Sequence, residues 1–151
     1  MWINNTITKF KVMLSIYKQL SDSSNDAKKT KIMEKDKLKI ENEIIGLICK
    51  LTPVNMSELS DVNTFKSRKK ELVVARQLHM VFKNLALSET LDASGWTYRK
   101  DHATVIYAIK TMQNLVETDR KFREQYRPLF ERMIQIDHTL SERLNLKYLY
   151  K

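Results

Sequence analysis

Two glycines and two prolines in 151 residues leave this chain few means of turning sharply. A sheet folded through hairpins needs Gly, Asn, Asp or Pro at each tight turn, because those turns demand a positive or a fixed φ. Long helices joined by short links make no such demand. Hydrophobic residues make up 42% of the chain, enough to close a core and too many for a disordered segment. The length is that of one ordinary domain, or of a small domain with an extension. The chain therefore reads as all-α.

The apolar spacing places the helices. Ile3, Ile7, Phe10, Leu14 and Tyr17 recur at intervals of four and three, which predicts an amphipathic helix over 5–20. Residues 21–31 are polar and aperiodic and read as a linker. A second helix is predicted over 33–50, ended by Thr52-Pro53. Asn55 stands three residues before Glu58, a capping-box spacing that starts a short helix. Further helices are predicted over 68–87, 90–98 and 101–116, with Trp96 and Tyr98 expected to join the last two. Thr118 is the expected N-cap of a final core helix that Pro128 should kink or restart. This divides the chain into an N-terminal helix and linker (1–31), a core unit (32–137) and a C-terminal tail (138–151). The tail is expected to add a short helix around Leu140–Tyr150.

The net charge of +9, from 27 Lys and Arg against 18 Asp and Glu, favours an anionic partner, though solubility alone would also explain it. Catalysis finds little support. His79, His102 and His138 lie far apart, no His-Glu-x-x-His spacing occurs, and no Gly-rich loop leads into Lys-Ser/Thr. The expectation is a non-enzyme with no catalytic residue, no metal, no cofactor and no small-molecule substrate. Cys49 is the single cysteine, which points to a reducing compartment, the cytoplasm or nucleoid. No apolar run approaches the roughly 18–20 residues that span a bilayer, and the N-terminus lacks the features of a signal peptide, so no membrane role is expected.

A short helix, a turn and a longer helix with a polar start is the layout of a helix-turn-helix. Asp101, His102, Ala103 and Thr104 occupy the first turn of the longer helix, where base edges are read. Asp101 reads equally well as a plain N-cap. Lys66, Arg68, Lys69 and Lys70 precede a helix N-terminus, where backbone N–H groups favour phosphate. The bland alternative is a solvated charge run.

Two strings sharpen this reading. Ser67-Arg68-Lys69-Lys70-Glu71-Leu72-Val73-Val74-Ala75-Arg76-Gln77-Leu78-His79-Met80 resembles the helix of the bacterial chromosomal replication initiator, DnaA, that carries its basic loop and Ala-Arg-Gln motif. Lys100-Asp101-His102-Ala103-Thr104-Val105-Ile106-Tyr107-Ala108 resembles that family's Arg-Asp-His-Thr-Thr-Val-x-His-Ala signature. The resemblance covers about residues 38–136. It implies the family's C-terminal duplex-binding domain, a Trp-repressor-like helix-turn-helix bundle, here with an added N-terminal helix.

Residue by residue, the resemblance implies that Arg68 enters the minor groove with Lys69 and Lys70 beside it. Arg76 and Gln77 would hold backbone phosphate. Lys100 takes the place of an arginine, with Arg99 beside it in the turn, and Asp101, His102 and Thr104 match major-groove readers. Ala103 departs from the family by losing a hydroxyl, and Tyr107 replaces a histidine. The Tyr98-Arg99-Lys100 turn lacks the family's Gly pair and is one residue shorter. The family's ATP-binding module would need a phosphate loop, which is not in this sequence.

The expected function is sequence-specific binding of double-stranded DNA at a DnaA-box-like site, in replication initiation or transcription regulation. A stand-alone reader of this kind fits a phage or mobile element. The alternative is a protein-interaction adaptor that docks onto a replication or transcription complex. Residues 3–20 are expected either to cap the chain's own core or to pair with a second copy or a replication partner.

Overall fold

The computed structural model describes residues 26–150, with side chains from Lys35 onward. The helix and pairing expected over residues 3–20 lie outside the described residues. Those described form seven α-helices and two 3-10 turns, with no strand among them.

Helix α1 (Asp26–Leu51) begins inside the stretch read as a linker. Residues 26–31 have no apolar period, but they contain no Gly or Pro and are mostly Ala and Lys, which favour a helix. Ile44 and Ile48, one turn apart, carry its apolar face into the core. Thr52 closes the helix, its backbone N–H and its hydroxyl both donating to the Ile48 carbonyl. The predicted cap starts α2 (Met56–Ser60), where Asn55 Oδ1 accepts from the Glu58 N–H at 2.7 Å. A 3-10 turn (Val62–Thr64) and a basic loop follow.

Helix α3 (Lys70–Leu85) is the central element; it packs against α1, α4 (Leu91–Trp96) and α5 (His102–Thr118). Leu72, Ala75, Leu78, Val81 and Phe82 line its buried face, opposite Val105, Ala108, Met112 and Val116 of α5. Helix α6 (Arg120–Ile136) lies against α1 and α5 and buries Phe122, Tyr126, Leu129, Phe130 and Met133. No helix of the described residues is long and apolar enough to cross a membrane.

Three expectations are corrected here. Thr118 is the last residue of α5, and the N-cap of α6 is Asp119, whose Oδ1 accepts from the Phe122 N–H at 3.1 Å. The same Asp119 donates its own N–H to the Leu115 carbonyl, so one residue ends α5 and starts α6. Helix α6 also passes through Pro128 without restarting. That proline is exposed, so the carbonyl deprived of its donor can turn to water. Finally, the residues read as a tail belong to the core. Leu140 of α7 (Leu140–Arg143), Leu144, and Leu146 and Leu149 around the second 3-10 turn (Leu146–Tyr148) are all fully buried.

Candidate nucleic-acid interface

The turn between α4 and α5 sets the geometry of the expected reading surface. Helix α4 starts on Thr90, whose hydroxyl accepts from the Ala93 N–H. It ends in a Schellman pattern: the Lys100 N–H bonds the Gly95 carbonyl at 2.9 Å and the Arg99 N–H bonds the Trp96 carbonyl at 3.0 Å. Arg99 takes the left-handed position of that motif, with φ 54°, where glycine is usual. Gly95 is the residue the turn cannot replace. A Cβ there would lie 2.5 Å from the Lys100 carbonyl oxygen.

Helix α5 then opens on its cap. Asp101 Oδ1 accepts from the Thr104 N–H at 2.9 Å and from the Thr104 hydroxyl at 2.8 Å. The Thr104 hydroxyl, then its backbone N–H, hold the Asp101 carboxyl below the usual carboxylate range. Asp101, His102, Ala103 and Tyr107 are exposed, and Thr104 is half-buried. Asp92 Oδ1 of α4 lies 3.6 Å from His102 Nδ1, across the turn.

The basic loop is built separately and then tied on. Lys66, Arg68, Lys69 and Lys70 are exposed. The loop backbone under them is held by Arg76, which is only 5% exposed. Its guanidinium donates to the Thr64 carbonyl at 2.9 Å and to the Ser67 carbonyl at 2.7 Å. The phosphate contact expected of Arg76 meets a side chain with two of its donors committed inward, to loop carbonyls of which that of Thr64 also accepts from the Ser67 N–H. Gln77 is half-buried beside it. Lys69 is paired with Glu58 at 3.4 Å.

Phe65 joins loop to turn. Its ring meets that of Tyr98 edge to face, with centroids 5.3 Å apart. Arg68 to Lys70 follow Phe65 by three to five residues, and Arg99 and Lys100 follow Tyr98 directly, so one aromatic contact anchors both cationic segments. Behind it, the Tyr98 hydroxyl lies 2.6 Å from His79 Nδ1, and His79 Nε2 lies 2.9 Å from Glu41 Oε1 on α1. The carboxylate can only accept, so Nε2 carries a proton, and in the neutral ring Nδ1 accepts from Tyr98. The bond from His79 holds the Glu41 carboxyl low against the opposing effect of burial, and Lys83 adds to it. Burial pushes the Tyr98 hydroxyl far above its ordinary value.

Trp96 departs from expectation. Tyr98 is buried and joins the elements, whereas Trp96 is 72% exposed. Gly95 occupies the place against α5, and the next residue along a helix points about 100° away. Sequence reasoning also missed Asp92 and the Glu41–His79–Tyr98 chain. His79 and Tyr98 lie on apolar faces, where a polar tip carries no periodic signal.

Helix-turn-helix, basic loop and supporting helix define a small helical bundle of the helix-turn-helix class. Comparison with known proteins places it further. Over 91 residues, 60% of this chain, it is 31% identical to chromosomal replication initiator protein DnaA 2 of Chlamydia pneumoniae, of which it spans 19%. Over 85 residues, 56% of the chain, it is 36% identical to DnaA of Bacteroides thetaiotaomicron, spanning 17% of that protein. A 60-residue stretch, 39% of the chain, is 42% identical to DnaA of Flavobacterium psychrophilum, spanning 13%. The chain thus spans less than a fifth of these relatives, and its similarity to DnaA extends over 60 to 91 residues. No family model and no solved structure matches it.

Proposed function

We propose that this chain is a sequence-specific double-stranded DNA-binding protein that recognises a DnaA-box-like site in replication initiation or transcription regulation. The reading unit is residues 32–137, closed by the packed residues 138–150. The observation that carries the proposal is the shared anchoring of Arg68, Lys70, Arg99 and Lys100 on either side of Phe65–Tyr98, next to the exposed first turn of α5. Phosphate contacts from such cations set register, and Asp101, His102, Ala103, Thr104 and Tyr107 then face base edges. Cytosine N4 is a donor matched to Asp101, and a thymine methyl is matched to Ala103 or Thr104. The relatives are named as chromosomal replication initiator proteins, which supports the replication reading.

Selection of a duplex library on the full chain, followed by affinity measurement across salt, tests the proposal. A single enriched box, with a log–log salt slope on the order of −4 to −6, is expected. No enrichment and a slope near zero would instead fit an adaptor that docks onto another protein.

A further inference from the structure

Among the described residues Trp96 is the most exposed large hydrophobic side chain. An indole left in water forgoes the burial of roughly 150–250 Å² that such a ring gains elsewhere, and the local fold does not require it there. The core beneath is already closed by Gly95 and Tyr98. Its neighbours decide what covers it. Trp96 ends α4 four residues after Asp92, so the two share one face of that helix. Asp92 lies 3.6 Å from His102, which makes this face the one beside the start of the reading helix. Arg99, three residues on, bonds back to the Trp96 carbonyl, and Lys100 follows. Neither cation has an ion-pair partner among the described residues.

An apolar ring with one N–H donor, next to two unpaired cations, matches the edge of a nucleic-acid groove. There a deoxyribose presents an apolar face and the adjoining phosphate presents acceptors. We infer that Trp96 is a duplex-binding residue: its ring packs on a backbone sugar flanking the box, with Nε1–H directed at a phosphate oxygen. The inference rests on the duplex-reading function proposed above and adds a contact that strengthens binding without reading sequence, unlike His102.

The chain's two tryptophans are Trp2 and Trp96, so a full-length Trp2→Phe variant reports on the indole alone. Titrated with a duplex carrying the selected box, its emission should change and acrylamide quenching should fall. In the wild-type background, Trp96→Ala should weaken binding about fivefold to thirtyfold on every duplex, at unchanged melting temperature and unchanged base preference. Trp96→Phe, which keeps a ring and loses the donor, should recover part of the loss. If duplex binds while the Trp96 emission and its quenching stay constant, and Trp96→Ala binds within about twofold of wild type, the inference is wrong and the duplex-reading function stands. If Trp96 emission shifts with protein concentration alone and Trp96→Ala abolishes self-association, the ring belongs to a contact between copies and the inference is again wrong. If the chain binds no duplex at low salt, both fail together.

Discussion

Asp101 meets two demands with one carboxylate. It satisfies the N–H of Thr104 at the start of α5, and it stands exposed where base edges would be read. The two can be separated by substitution. Asp101→Ser keeps a capping oxygen and should leave stability within about 0.5 kcal/mol of wild type, whereas Asp101→Ala should lose about 1 kcal/mol. Both should relax base preference to the same extent in competition binding, because both remove the carboxylate. If only the alanine variant loses preference, the residue acts through its cap alone. Arg99 sets up a second contrast. Its φ of 54° is one that a side chain resists, so Arg99→Gly should raise unfolding stability by about 0.5–1 kcal/mol. The same change should make the salt dependence of duplex binding shallower by about one unit, since a cation is lost. Gain in stability with an unchanged slope would place Arg99 away from phosphate.

Elements, in this molecule, are fastened to each other by side chains whose backbone partners lie far off in sequence. Arg76 of α3 holds the loop at Thr64 and Ser67. Arg76→Met should therefore leave the Ser67 carbonyl without its donor, the Thr64 carbonyl keeping the Ser67 N–H, and cost about 1–3 kcal/mol in urea unfolding. Because the whole loop loosens, its salt slope should fall by more than the single unit expected for Arg68→Ala. An equal fall in the two variants would return Arg76 to the role of a simple phosphate ligand. Elements were also the scale most legible in the sequence. The caps at Asn55 and Asp101 follow from residue type and spacing, and the buried faces of α3, α5 and α6 follow from the period of their apolar residues. Arg76 was not legible, because the motif that marks it shows its chemistry and not the direction of its donors. Thr118 and Asp119 are both good caps, and only the fold distinguishes them. Trp96 falls on the apolar pattern, yet a glycine beside it takes the buried place.

At the scale of the described fold, the long helix α1 is joined to the helix-turn-helix through Glu41, His79, Tyr98 and Lys83. Glu41 has a folded pKa below its ordinary 4.5. It therefore contributes stability that is present above 4.5 and is lost as pH falls through the lowered value. Wild-type stability should decline over that acid range, and Glu41→Gln should be less stable at neutral pH with a flatter acid limb. Identical acid limbs would exclude this carboxylate as a contributor. The C-terminal leucines matter on the same scale. Leu144→Ala should cost about 2–5 kcal/mol in the same unfolding assay. Their burial was not legible because Leu140 and Leu144 keep a helical spacing that Leu146 and Leu149 break, so the expected short helix shows no single apolar face.

Asp119 leaves no spare length between α5 and α6, since it closes one helix and opens the next. Within a lineage, substitutions along either helix can accumulate one at a time, each judged by its own fit. A gained or lost residue at this joint has no loop to absorb it. It would rotate all of α6 by about 100° against the core and shift it by about 1.5 Å. Related sequences should therefore diverge freely in composition across residues 102–136 while their alignments there remain free of gaps, with length changes confined to the turn at 98–100 and the loop at 61–69.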